Sequence, residues 1–271
     1  MKLRKLSVVL LALLVVLSLA SCGGGGGGGA DDPDTPDTPV GSWLCFTSTG
    51  ESTVWMNVYG TVDPLPTLEY SKDGTTWEDF VIESITVELA DGEKVYFRGN
   101  NTSFSDGSGY LKFEMTGSIA ASGNVMSLLD KTCESVTIPN DYCFSCLFDS
   151  CDVLTSAPEL PATALKASCY SYMFYGCENL AAAPELPAAS LEPFCYMCMF
   201  YNCSALNSIK VHFTDWNFDD DSTSSWVYNV ADTGTFTCPS ELVATVPVDG
   251  YWGEDKVPTD DPSYQWNIET F

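Results

Sequence analysis

Twelve cysteines, a single histidine and 37 acidic residues are the groups of this 271-residue chain that could do chemistry. Cys143-Phe-Ser-Cys146 and Cys195-Tyr-Met-Cys198 have the C-x-x-C spacing with which thiolates hold zinc. Asp215-x-Asn217-x-Asp219-x-Asp221 places oxygens at alternate positions, as a calcium loop does. Each arrangement falls short of a site. The cysteine pairs lie two repeats apart, about 10 Å along a stack of strands, and the repeat between them has Tyr172 where a cysteine is needed. The acidic loop has Asp220 where a calcium loop turns on glycine, and Trp226 where it ends on glutamate. His212 has no serine or cysteine motif beside it. No catalytic residue, metal or cofactor is therefore assigned, and the chain is read as a non-enzyme.

The elements that must position these residues follow a period of 26. Cys143, Cys169 and Cys195 obey it. So do Phe148, Phe174 and Phe200; Cys151, Cys177 and Cys203; and Leu128, Leu154, Leu180 and Leu206. A repeat of this length marks stacked units that bury a shared core. Each unit is expected to begin with a brief strand at its leucine, closed by Pro158 or Pro184, since proline cannot extend a central ladder. A short helix is expected over 168–177, with Cys169, Met173, Phe174 and Cys177 on one face at i, i+4, i+5 and i+8. Tyr170 and Tyr196 would form one column and Tyr175 and Tyr201 another. These four tyrosines are the candidate ligand-contact residues.

Ahead of the repeat, 41–117 alternates apolar and polar residues in short runs. Val54, Met56 and Val58 form one run, Ile85, Val87 and Leu89 another, and Leu111, Phe113 and Met115 a third. Asp73-Gly74, Asp91-Gly92 and Asp106-Gly107 supply turns between them. That pattern predicts an antiparallel β-sandwich. Beyond the repeat, 214–271 is expected to close the open end, with Trp252, Trp266 and Ile268 as its apolar cover.

Residues 1–21 read as a signal peptide, with a basic start and an apolar run from Leu6 to Ala20. Leu19-Ala20-Ser21-Cys22 resembles the bacterial lipobox, which makes Cys22 the expected lipidation site. Residues 22–40, seven glycines and then a Pro/Asp stretch, read as a tether without a core. A formal net charge of −26 repels nucleic acid and anionic membrane surfaces.

The repeat resembles that of BspA-like leucine-rich-repeat surface proteins of host-associated anaerobic bacteria. The matching residues are Phe148-Asp-Ser-Cys151-Asp-Val-Leu154, Phe174-Tyr-Gly-Cys177-Glu-Asn-Leu180, Phe200-Tyr-Asn-Cys203-Ser-Ala-Leu206 and the Ala157-Pro-Glu-Leu-Pro161 and Ala183-Pro-Glu-Leu-Pro187 turns. In such repeats Cys151, Cys177 and Cys203 would satisfy backbone groups at a turn. The resemblance implies a β-rich α+β chain: an N-terminal antiparallel β-sandwich (41–117), a short leucine-rich-repeat-like solenoid (118–213) and a C-terminal cap (214–271). It implies a lipoprotein anchored to the outer membrane and exposed at the surface. Its expected role is adhesion, or protein or glycan binding through the solenoid face. The alternative is a glycan-capture accessory of an outer-membrane uptake system.

Overall fold

Alternation in the first half does become strands. A computed structural model describes residues 43–217, 220–244 and 265–271. Seven strands appear where the pattern places them: β1 (Leu44–Ser48), β2 (Ser52–Gly60), β3 (Leu68–Ser71), β4 (Glu78–Phe80), β5 (Val87–Leu89), β6 (Lys94–Gly99) and β7 (Gly109–Thr116). Their apolar members point inward: Val54, Met56, Leu111 and Phe113 are fully buried, while Trp55 between the first two is half-buried. Gly74, Gly92 and Gly107 adopt the left-handed conformation that their turns require.

β8 (Ile119–Ser122) and β9 (Leu154–Ser156) complete the main sheet, whose order is β4-β3-β6-β1-β8-β9. All its neighbours are antiparallel except β8 and β9, which run parallel. A second, antiparallel sheet is β5-β2-β7. The two sheets meet through Phe46, Phe97 and Phe113, whose ring centroids lie 5.0–5.7 Å apart. A third sheet, parallel, joins β10 (Ser208–Lys210), β11 (Thr233–Cys238) and β12 (Gln265–Thr270). Helix is almost absent among the described residues. It comprises the 3-10 turn Val125–Leu128, a 3-10 residue at Asp220 and α1 (Ser240–Ala244).

This corrects the expected fold class. The β-rich α+β chain with a leucine-rich-repeat-like solenoid is not what forms, because the repeat holds neither a helix per unit nor one continuous strand ladder. Its first leucine strand, β9, belongs to the main sheet, β10 belongs to the third, and the stretch around Leu180 makes only isolated bridges, such as Ala182 with Ser208. The helix expected over 168–177 is a run of turns. Every fourth residue there is left-handed: Tyr142, Cys146 and Ser150; Ser168, Tyr172 and Gly176; Phe194, Cys198 and Asn202; Asp221, Ser225 and Asn229. The eleven that are not glycine have φ of 50–62°, and such a residue breaks an α-helix wherever it stands.

Hydrogen bonding explains why this costly conformation persists. The N–H groups of Tyr142, Phe144, Cys146, Phe148 and Ser150 donate across to the carbonyls of Ala167, Cys169, Ser171, Met173 and Tyr175, at 2.6–3.0 Å. The N–H groups between them, such as Ser145, Leu147 and Asp149, close tight turns within their own unit. The same alternation links 168–176 to 193–201 and 194–202 to 220–228. Backbone donors are thus satisfied in two directions at once, which a helix cannot do. Inside these stacked turns Phe148, Phe174 and Phe200 lie ring on ring at 5.4 and 5.7 Å. The column starts from Phe113 in β7 and ends against Trp226.

The described residues all fall in one compact unit that begins at Thr38. The leader, Cys22, the tether and Trp252 lie outside the described residues.

Candidate functional site

The expected tyrosine patch divides into an inner and an outer column. Tyr170 and Tyr196 are 1% exposed. They continue a buried stack that runs from Phe104 through Phe144, with Phe144–Tyr170 and Tyr170–Tyr196 centroids 5.9 and 6.1 Å apart. Burial drives both phenols well above the ordinary tyrosine range, and the Tyr170 hydroxyl is buried without a hydrogen-bond partner. A ligand-contact role for these two is corrected to packing. Tyr175 and Tyr201 stand on the other side of the turns, half-buried and stacked at 5.0 Å with an 8° interplanar angle. Tyr228, 45% exposed, stacks on Tyr201 at 4.6 Å. Tyr172 leans on Tyr175 at 5.8 Å.

Backbone register produces this row. The carbonyls of Tyr175, Tyr201 and Tyr228 accept from Ser150, Gly176 and Asn202, so each ring sits one layer beyond the last. Asp149 occupies the corresponding place in the first unit, where Lys112 neutralises it. The Lys112 ammonium lies 3.7 Å from the Asp149 carboxylate and 3.6 Å from Glu114, and donates to the Asp149 carbonyl at 3.1 Å. Burial pulls the Lys112 pKa down, but the two carboxylates outweigh it and the net shift is upward. The lysine stays charged and occupied.

At the head of the row the turns meet the end of the paired strands β2 and β7 in a cleft of about 400 Å³. Its rings come from four segments: Tyr59 and Tyr110, register partners across β2 and β7, then Tyr142 and Tyr172 from the first two units. Tyr59 and Tyr110 stack at 5.3 Å with a 14° angle. The Tyr59 hydroxyl donates to Glu114 at 2.6 Å, and that bond, with burial second, raises its pKa. The Tyr172 phenol is pushed up to about 12, first by burial and then by its bond to Cys198. Both phenols are neutral hydroxyls at neutral pH. The remaining lining is Gly60, Ser105, Gly107, Ser108, Gly109, Ser145, Cys146 and Ser171, so no charged side chain faces the cleft.

The cysteine columns hold the turns. Cys151, Cys177 and Cys203 donate their thiols to the carbonyls of Phe113, Phe148 and Phe174 at 3.0–3.2 Å. Burial pushes the thiols of Cys143, Cys195 and Cys203 up to about 12. No group of three or more metal-ligating side chains occurs among the described residues. His212 pairs with Glu185 at 2.5 Å, which Lys210 also contacts at 2.7 Å.

Of the residues that form the row and cleft, the sequence pointed to Tyr175 and Tyr201. Tyr228 was hidden because the fourth unit is reached after 27 residues rather than 26: Asn202 corresponds to Asn229, not to Tyr228. Tyr59, Tyr110 and Tyr142 come together only through tertiary packing. No family model, curated protein or solved structure matches this chain.

Proposed function

We propose that this protein is a non-catalytic binding protein of the cell surface, which adheres to its partner through the outer tyrosine row. The observation that carries this reading is the stacking of Tyr175, Tyr201 and Tyr228 on the exposed side of the turns. Core packing does not require these rings, since the buried columns of Phe148 and Phe144 already fill the interior. Tyrosine suits contact work because it offers a broad apolar face and a hydroxyl at low entropic cost. The lipobox-like Cys22 and the 22–40 tether support display at an outer-membrane surface. So does the likeness of the Phe-x-x-Cys-x-x-Leu pattern to BspA-like surface proteins.

The test uses beads whose lipid bilayer carries the full-length protein, scored for retention on mucin-coated and collagen-coated glass. Retention on at least one surface is expected. It should fall to the level of bare beads when Tyr175, Tyr201 and Tyr228 are all replaced by alanine. A triple variant that adheres like the parent, or a parent that adheres to neither, sinks the proposal. Separately, Cys22→Ser is expected to release the protein from the membrane fraction, and continued membrane retention would refute the anchor.

A further inference from the structure

The cleft at the head of the row has a size, a lining and a continuation that together specify an occupant. We infer that it holds one neutral pyranose residue of a glycan whose chain runs on along Tyr172, Tyr175, Tyr201 and Tyr228. This rests on the tyrosine row being the binding face, and it names the chemical class of the partner.

Four properties of the cleft lead there. Its volume of about 400 Å³ lies in the range of small-ligand pockets and suits a single sugar ring with its substituents. Tyr59 and Tyr110 cover one face of each other and Lys112 lies against Tyr59, and the ring faces left open carry negative potential, which attracts the weakly positive C–H groups on the apolar face of a pyranose. Tyr59 and Tyr142 are 38% and 40% exposed, so these faces are reachable. Its polar lining offers the exposed Ser108 hydroxyl, the tyrosine hydroxyls and the backbone to sugar hydroxyls, while the hydroxyls of Ser105, Ser145 and Ser171 are bonded within the protein.

The remaining properties exclude other occupants. An anionic ligand would find no free cation: the Lys112 ammonium lies 5.2 Å from the centre of the Tyr59 ring, but it is 8% exposed and held by Asp149 and Glu114. A cationic ligand would find no carboxylate in the lining. A peptide strand added by backbone pairing needs an open edge, and the cleft walls are already bonded. Tyr142 N–H donates to Ala167, Ser145 N–H to Tyr142, and Asp106 N–H to the Gly109 carbonyl. The Ser145 and Ser171 hydroxyls lie 2.9 Å apart and tie the first two units together beneath the rings. Gly107 lets Tyr142 lie flat at the mouth, since a Cβ there would fall 3.1 Å from the ring. The cleft opens onto the row through Tyr172, whose ring is 5.8 Å from that of Tyr175. A polymer of sugar rings can therefore pass from one platform to the next.

The experiment is native affinity electrophoresis of the full-length protein in detergent, in gels containing mannan, starch, xyloglucan or mixed-linkage β-glucan. At least one neutral polysaccharide is expected to retard the protein. Tyr59→Ala and Tyr142→Ala should each weaken that retardation by about tenfold in apparent affinity, as loss of one well-packed aromatic contact would. Ser108→Trp, on the exposed turn at the mouth, should block the cleft with every tyrosine in place, so its result does not depend on how the tyrosine variants fold. Two results overturn the inference: no retardation of the parent by any of the four gels, or retardation of Ser108→Trp equal to the parent. If either occurs while adhesion of the beads still depends on Tyr175, Tyr201 and Tyr228, the binding face stands and only the glycan is wrong. If the cleft variants lose glycan binding while the row variants adhere normally, the cleft stands and the row is wrong.

Discussion

Phe174 and Tyr175 are adjacent in sequence and face opposite sides of the turns, which makes them a sensitive test of the stacked-turn geometry. Phe174 is fully buried, with Phe148 at 5.4 Å on one face and Phe200 at 5.7 Å on the other. Truncation to alanine removes the whole ring from a site that cannot collapse, because the layers above and below are fixed by backbone bonds. Phenylalanine-to-alanine changes in such cores cost about 3–5 kcal/mol. The loss of two ring contacts places this one in the upper half of that range. Against a total stability of about 5–15 kcal/mol, the variant should be severely weakened. Phe174→Leu keeps most of the volume and should cost less than about 1.5 kcal/mol. Tyr175→Ala should cost under about 1 kcal/mol, since its ring stands on the outer side. Urea unfolding followed by tyrosine and tryptophan fluorescence measures all three. If Phe174→Ala costs no more than Tyr175→Ala, the assignment of inner and outer columns is refuted.

The thiols should report the same geometry. Iodoacetamide at neutral pH, mapped by mass spectrometry, should label the half-buried Cys133 and Cys146 in the folded protein, while Cys177 and Cys203, buried and bonded to carbonyls, react only on unfolding. Equal native rates would contradict that burial. Glu69 receives Lys131 at 2.6 Å and Arg98 at 2.7 Å. The Lys131 bond is the largest cause of its lowered pKa, with burial opposing and Arg98 adding to the drop. A depressed folded pKa gives stability that is present above the unfolded carboxylate value and lost as pH falls through the folded one. Glu69→Gln should therefore flatten the acid limb of the stability–pH curve, and an unchanged limb would show that the pair does not contribute. Gly123, at φ 70°, sits where an added Cβ would overlap the Trp43 carbonyl oxygen. Gly123→Ala should cost at least about 1 kcal/mol from the left-handed backbone alone, read as a fall in Tm; an unaltered Tm would show that the junction relaxes.

Strand alternation was legible because a half-buried strand has no other way to face its core, and β2, β5 and β6 follow it closely. The repeat was legible as a burial code but not as an element. Cys169, Met173, Phe174 and Cys177 are all fully buried, as a helix face at i, i+4, i+5 and i+8 requires. A run of four-residue turns yields the same spacing. The two differ at i+1: Tyr170, beside Cys169, is off that helix face but inside the turns, so a residue assigned to the surface proved to be core. What would have separated them is the left-handed backbone at Tyr142, Cys146, Tyr172 and Cys198, residue types that carry no sequence signal for it. The cleft was illegible for a different reason: Tyr59, Tyr110 and Tyr142 are brought together by strand register and by docking of the first unit.

That docking has a further consequence. Phe113 of β7 donates its N–H to Leu147, and Ile119 of β8 donates to Val153, so the first unit bonds to one rim of each N-terminal sheet. A chain cut before residue 143 would leave both rims as rows of unpaired donors and acceptors, templates on which a neighbouring molecule could add its own strand. The first unit of the repeat therefore acts as a guard, covering both rims and keeping one copy from zipping to the next.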